Sequence, residues 1–257
     1  MLDPDEGLAA DGTIVTGARI DRVPPAFAAI VDAARRRVED LGAGSLYLYG
    51  SVATGQARSP TSDVDLLTVD IPVDAASAIG RELSTTFADG CREVAIAAAR
   101  RDDYIGEEDE AYGNRVFLRH YCVHLTGPDQ RSSLPSFAGD ARAARGFNGD
   151  IARHAERWAF DMNSGVDTVL VGQRLARKTL LAVAGLVSVH DNRWTTDRAT
   201  TAQRLSIITP TSAADLARLL RWADAQERPT MTAVRDAVDR VVPSIIESFA
   251  NTIGLWP

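Results

Sequence analysis

Lysine is almost absent from this chain. Of 28 basic residues all but Lys178 are arginine, a bias that reads as compositional rather than functional. Cysteine is nearly as scarce, with Cys91 and Cys122 alone in 257 residues. Two isolated thiols have neither zinc-ligand spacing nor the numbers of a disulfide framework, so both read as buried or reduced. No apolar run approaches the roughly 18 residues of a membrane span. The acidic N-terminus also lacks the basic and apolar regions of a signal peptide. A cytoplasmic protein without a membrane partner is the expectation. Positive charge is in deficit as well, with 28 basic against 35 acidic residues and a net charge of −7. Neutralising phosphates takes a basic surface, so nucleic acid is not an expected partner. A cationic small molecule is compatible with this charge. The P-loop pattern G-x-x-x-x-G-K-[ST] does not occur, which argues against a P-loop kinase.

What the chain does have is enough apolar residue, 45%, to build one large core or two modest ones. Its most informative stretch is Leu46–Val69, LYLYGSVATGQARSPTSDVDLLTV. An apolar run ends in Gly50-Ser51, Val52–Ser62 reads as a polar loop, and a second apolar run opens with Asp63-Val64-Asp65. Side chains alternate faces along a strand, so Asp63 and Asp65 point one way while Val64 and Leu66 point into packing. Two carboxylates held so close repel, and a shared proton or a bound cation relieves them. Mg²⁺ is typically held by one or two carboxylates plus substrate phosphates. Gly50 lets backbone approach a phosphate, and Ser51 adds a hydroxyl and an N–H. Together they describe a metal-bound phosphate site.

Around this stretch the elements follow from periodicity and breakers. Thr13–Ile20 reads as a short strand or arm. Pro24-Pro25 precede Phe27, Ile30, Val31, Ala34, Val38 and Leu41 at helical spacing, which predicts an amphipathic helix on a sheet. Asp74–Phe87 reads as a helix and Arg92–Ala99 as a strand that brings Glu93 beside the acid pair. A third carboxylate there could hold a metal or take a proton from an attacking hydroxyl, and only its environment decides. Asp102 and Asp103 compete as third acid from the strand's far end. Gly106–Gly113 reads as an acidic loop, Arg115–Tyr121 as a helix, and Cys122–Thr126 as a strand closed by Gly127-Pro128, with His124 in a structural role.

From Ala138 the pattern is helical throughout: Ala138–Ala144, Asp150–Met162, Val166–Val187, Thr196–Leu205, Ala213–Ala225 and Thr230–Ile253. The reading is an α/β N-terminal domain with a mixed sheet, residues 1–135, then an all-α helical bundle, residues 136–257. A cleft between the two is expected. Along the longest helix Asp167, Arg174 and Lys178 fall within about 20° of one another, one polar stripe carrying both signs.

The Gly-Ser, loop, Asp-x-Asp pattern resembles the signature of the DNA polymerase β-like nucleotidyltransferases. Glu93-Val94-Ala95-Ile96 followed by Asp102-Asp103 is similar to the corresponding strand of aminoglycoside O-adenylyltransferases acting on streptomycin and spectinomycin. The resemblance implies a catalytic base at Glu93 and metal ligands among Asp63, Asp65 and Glu93, with Gly50 and Ser51 at the nucleotide. It extends more weakly through Leu175–Gly185 and Trp194–Leu205, where Arg177 and Arg198 fall on phosphate contacts. Trp158 and Asp167 fall on the acceptor pocket, which Asn163 departs from by replacing an acid. ATP as co-substrate, Mg²⁺ as cofactor and a small hydroxyl-bearing acceptor, an aminoglycoside or aminocyclitol, are the implied partners. The alternatives are a protein or tRNA acceptor, or a silent, antitoxin-like binding module with the same fold. The oligomeric state stays open, with a monomer as the first expectation.

Overall fold

In the computed structural model, which describes residues 3–257, the chain divides after Phe137. One unit is Asp3–Ala9 with Thr13–Phe137, the other Ala10–Gly12 with Ala138–Pro257. In the first unit β1 (Gly7–Leu8) and β2 (Ile14–Val15) form a short antiparallel hairpin. Helix α1 (Pro25–Glu39) starts where proline pre-sets φ at the first helical position. It buries Phe27, Ile30, Val31, Ala34 and Val38, the stripe its periodicity predicts. Leu41 does not join them, because the helix has ended by then and that side chain is 46% exposed.

Strand β3 (Ser45–Tyr49), the single turn α2 (Gly50–Ala53), β4 (Val64–Val69), α3 (Val73–Thr86), β5 (Val94–Ala99), α4 (Asp109–Tyr121) and β6 (Val123–Thr126) follow in order. They make a four-stranded sheet ordered β5-β4-β3-β6. Strand β3 is antiparallel to both neighbours while β4 and β5 are parallel, so the sheet is mixed, as expected. Helix α3 is the crossover that a parallel pair requires. It lies close on β5 because Gly80 has no Cβ, which would come within 3.0 Å of the Val94 carbonyl oxygen. Leu46, Leu48, Val64, Leu66 and Val94 pack with α1 and α3 residues. Tyr47, Leu67 and Val69 pack on the opposite face with Leu118 and Cys122. Both cysteines are free and buried. The acidic stretch before α4 is not all loop: the helix starts at Asp109, with Asp109 and Glu110 in its first turn. Carboxylates there offset the positive end of the helix dipole.

The second unit is helical: α5 (Ala141–Asn148), α6 (Ile151–Asn163), α7 (Thr168–Asp191), α8 (Arg198–Ile208), α9 (Ala213–Ala223), α10 (Met231–Asp236) and α11 (Val242–Thr252). Side chains of Asp140, Asp167, Asp197 and Thr230 cap α5, α7, α8 and α10 by accepting backbone N–H bonds. Helix α7 is the centre, touching α5, α6, α8, α9, α10 and α11. Of its polar stripe, Asp167 and Arg174 are exposed while Lys178 turns inward. Lys178 is 18% exposed, pairs with Asp150 at 2.7 Å and donates to the Phe147 carbonyl at 3.0 Å. Burial pushes the Asp150 carboxyl up, but bonds from His154 and Lys178 outweigh it and bring the pKa down to about 2. The single helix expected over Thr230–Ile253 is interrupted by a wide turn at Ala237–Val241. Pro243 accounts for it, having no N–H to donate and a ring that crowds the carbonyl four residues back. Among the described residues no helix is long and apolar enough to cross a membrane.

Candidate active site

The acid pair forms at the start of β4, where the strand emerges from the core. Val64 and Leu66 are fully buried beneath it, which leaves Asp63 and Asp65 together on the opposite face. The antiparallel register sets Tyr49 opposite Asp65, so the chain turns into α2 directly beside that carboxylate. Gly50 makes this possible. Its φ is +73°, and a Cβ there would lie 2.5 Å from Oδ2 of Asp65. Ser51 is half-buried in the same turn, its carbonyl accepting from Gln56 and Ala57 at 2.8 and 3.0 Å. That closes the loop back on itself. The glycine and the serine thus share one turn, and one acid lies against the glycine.

Strand β5 supplies the neighbouring residues. Its parallel register with β4 pairs Val64 with Val94, and the Val64 N–H donates to the Glu93 carbonyl at 2.9 Å, so Glu93 stands level with Asp63. Glu93 is exposed. It lines a groove of about 670 Å³ that runs along β5 past Tyr49, Ala95 and Ala97, with Ser77 and Arg81 of α3. Asp102 and Asp103 lie beyond the other end of β5, in a short turn over Arg101–Tyr104.

The electrostatics reflect this crowding. Burial, then the Asp63 charge beside it, push the Asp65 carboxyl from its ordinary 3.8 up to about 6; Arg92 opposes the rise and Glu93 adds to it. Burial and Asp65 likewise push the Tyr49 phenol up, keeping it protonated. Asp63 has a partner that pattern reading missed. Arg92 Nε donates to its Oδ1 at 2.7 Å and Nη2 donates to its Oδ2. The only hint in the sequence is that Arg92 directly precedes Glu93.

Among the described residues no three His, Cys, Asp or Glu side chains converge as a ready metal cage. Mg²⁺ needs only one or two carboxylates when phosphates complete its shell. Asp63 and Asp65, adjacent on one face with the rise in Asp65 unrelieved, are a donor set of that kind.

In the second unit Arg177 and Arg198 come together. Burial lowers the Arg198 pKa, Asp224 at 3.7 Å opposes this, and the Arg177 charge lowers it further. Arg177 is exposed and donates from Nε to the Ala223 carbonyl at 3.2 Å. Trp158 is 3% exposed, against His154 of its own helix, and so presents no open ring face. Asp167 is exposed and caps α7, accepting from the Val169 N–H at 2.7 Å.

No protein-family model and no curated protein matches this sequence. A solved structure does. The crystal structure of spectinomycin adenyltransferase AAD(9) from Enterococcus faecialis with ATP and spectinomycin superposes with a TM-score of 0.56. The match covers 86% of this chain and 98% of that one at 10% identity. The two chains share a fold. Since 86% of this chain is covered, the likeness reaches into both of its units.

Proposed function

We propose that this protein is a Mg²⁺-dependent nucleotidyltransferase that moves AMP from ATP to a hydroxyl of a small molecule, an aminoglycoside or aminocyclitol. The observation that carries the reading is the Asp63–Asp65 face set directly over Gly50. A carboxylate pair and a glycine-serine turn share one place, on a fold that an ATP-bound adenyltransferase also has. Asp63 and Asp65 would hold the metal, which supplies charge neutralisation to the triphosphate and to the leaving oxygen. Gly50 brings the backbone of the turn against the carboxylate face, and Ser51 offers its hydroxyl to the phosphate oxygens. Glu93, exposed in its groove, accepts the acceptor's proton as that oxygen attacks the α-phosphorus and the bond to pyrophosphate breaks. Arg177 and Arg198 are assigned to the phosphates. The Arg177 charge acts unfavourably on Arg198, and an anion between them would relieve it.

The acceptor class rests on the fold likeness and the resemblance. Within the first unit the groove offers one carboxylate, Glu93, and one guanidinium, Arg81. Recognition of a polycation therefore calls on further acids. Asp167 is the one the resemblance assigns, with Trp158 as the stacking partner once its ring is uncovered.

The test is pyrophosphate release from ATP and GTP with Mg²⁺ across an aminoglycoside panel that includes streptomycin and spectinomycin. Release is expected only with ATP and a matching acceptor, falling at least a hundredfold in Glu93→Gln. Nucleotide binding without release on any acceptor would move the substrate to a protein, an RNA or another metabolite. Nucleotide binding indifferent to metal would favour the silent module.

A further inference from the structure

Asp63 cannot serve a metal in the state the structure shows, because another cation already has it. Arg92 approaches in the side-on geometry in which two parallel N–H groups meet both oxygens of a carboxylate, 2.7 Å from Nε to Oδ1 and with Nη2 on Oδ2. Paired N–H donors make this contact more specific in geometry than a single one. We propose that Arg92 is a built-in counter-ion for Asp63, holding that carboxylate in the metal-free protein and surrendering it when a divalent cation arrives with the nucleotide. The proposal rests on the metal-binding reading above and adds to it the residue that sets how tightly bare metal is held.

Three features make Arg92 a displaceable occupant rather than a fixed strut. First, the backbones on either side of the pair are locked. The Arg92 N–H donates to the Ser62 carbonyl at 3.1 Å and the Val64 N–H donates to the Glu93 carbonyl at 2.9 Å. Exchange therefore needs only the arginine side chain to rotate. Second, the pair is lopsided in its exposure, Arg92 at 61% and Asp63 at 22%. The guanidinium can leave into water while the carboxylate stays facing the site. Third, the charge balance is unfinished. Asp63, Asp65 and Glu93 all act on Arg92, which supplies one positive charge against their three negative ones. A divalent ion satisfies that field better than a monovalent one can. An exposed ion pair is worth little in water, so a metal that also brings phosphate ligands can displace it. A bare metal has to pay for the exchange alone.

The experiment is Mn²⁺ binding by the full chain, measured by the electron paramagnetic resonance of free Mn²⁺, alone and with α,β-methylene-ATP. It compares wild type, Arg92→Ala, Arg92→Lys and Asp63→Asn. Arg92→Ala is expected to bind Mn²⁺ alone about tenfold more tightly, the effect of removing a unit charge about 6 Å from a divalent ion at water-like dielectric. Arg92→Lys keeps the charge without the paired donors and is expected to fall between Arg92→Ala and wild type. The gain in Mn²⁺ affinity from the nucleotide should be larger in wild type than in Arg92→Ala. Wild type and Arg92→Ala binding Mn²⁺ equally, or Arg92→Ala binding it more weakly, would overturn the role of Arg92 and leave the metal site standing. Absence of Mn²⁺ binding in every variant, even with the nucleotide analogue, would remove the metal reading itself and this proposal with it.

Discussion

A methyl group at position 50 would stand 2.5 Å from Oδ2 of Asp65, on a residue whose φ of +73° already disfavours any side chain. Gly50→Ala therefore meets two penalties, left-handed backbone and a collision with a candidate metal ligand. About 1–2 kcal/mol of lost stability is expected from the backbone alone, read from urea unfolding, with pyrophosphate release lost more completely than the fold. Asp65 shows the opposite trade. Its pKa lies above the unfolded value, so ionising it in the folded, metal-free protein costs stability as pH rises from 3.8 through about 6. Asp65→Asn removes that cost. At pH 8 the variant is expected to melt about 2–4 °C above the metal-free wild type, roughly 1 kcal/mol for a chain of this size. The gain should vanish near pH 3.5, and pyrophosphate release should be absent throughout. A variant no more stable than wild type at pH 8 would mean that the carboxylate is not crowded.

Helix α4 carries a second titrating device, unconnected with the acids. His120 Nε2 accepts the Phe137 N–H at 2.9 Å, and the His120 carbonyl accepts from Thr16. The residue thus ties α4 to chain segments far away in sequence. Burial, helped by the charges of Arg119 and Arg131, lowers the imidazole from 6.5 to about 4. A ring that must stay neutral to accept a hydrogen bond favours the folded state fully above pH 6.5 and loses that advantage as pH falls toward 4. In Asp65→Asn, which lacks the acid whose shift runs the other way, the urea midpoint should decline across that window, and adding His120→Gln should flatten the decline; an unchanged slope would locate the acid sensitivity elsewhere. Elements of this kind were partly legible in advance. Helix α1 follows from its apolar spacing. The early start of α4 and the wide turn before α11 required knowing how acids behave in a first turn and what Pro243 does to a carbonyl one turn away. Leu41 fitted the periodic stripe and still fell outside, because periodicity reports a face and not where a helix stops.

At the scale of the molecule, a net charge of −7 predicts that tRNA and duplex DNA are not retained at about 150 mM salt, since binding them depends on a basic surface that displaces the counterions of the phosphates into solution. An electrophoretic mobility shift at that salt would return RNA to the list of acceptors. The mixed sheet and the helical second unit are the architecture that the order of apolar patterns indicated. Much of the candidate site was legible too, because Asp63 and Asp65 are two residues apart and strand alternation alone puts them on one face. Contacts across the sequence were decided by packing. Arg92 meets Asp63 because β5 lies parallel to β4. Asp65 covers Gly50 because Tyr49 stands opposite it in the register. Lys178 turns inward to Asp150 because α7 is covered on several sides. The sequence by itself therefore determined which residue types share a turn or a strand face, through forces acting over a few residues. Only the tertiary structure decided which charges meet, how far burial raises the Asp65 pKa and which cation holds Asp63, since those depend on neighbours that the chain brings together by folding.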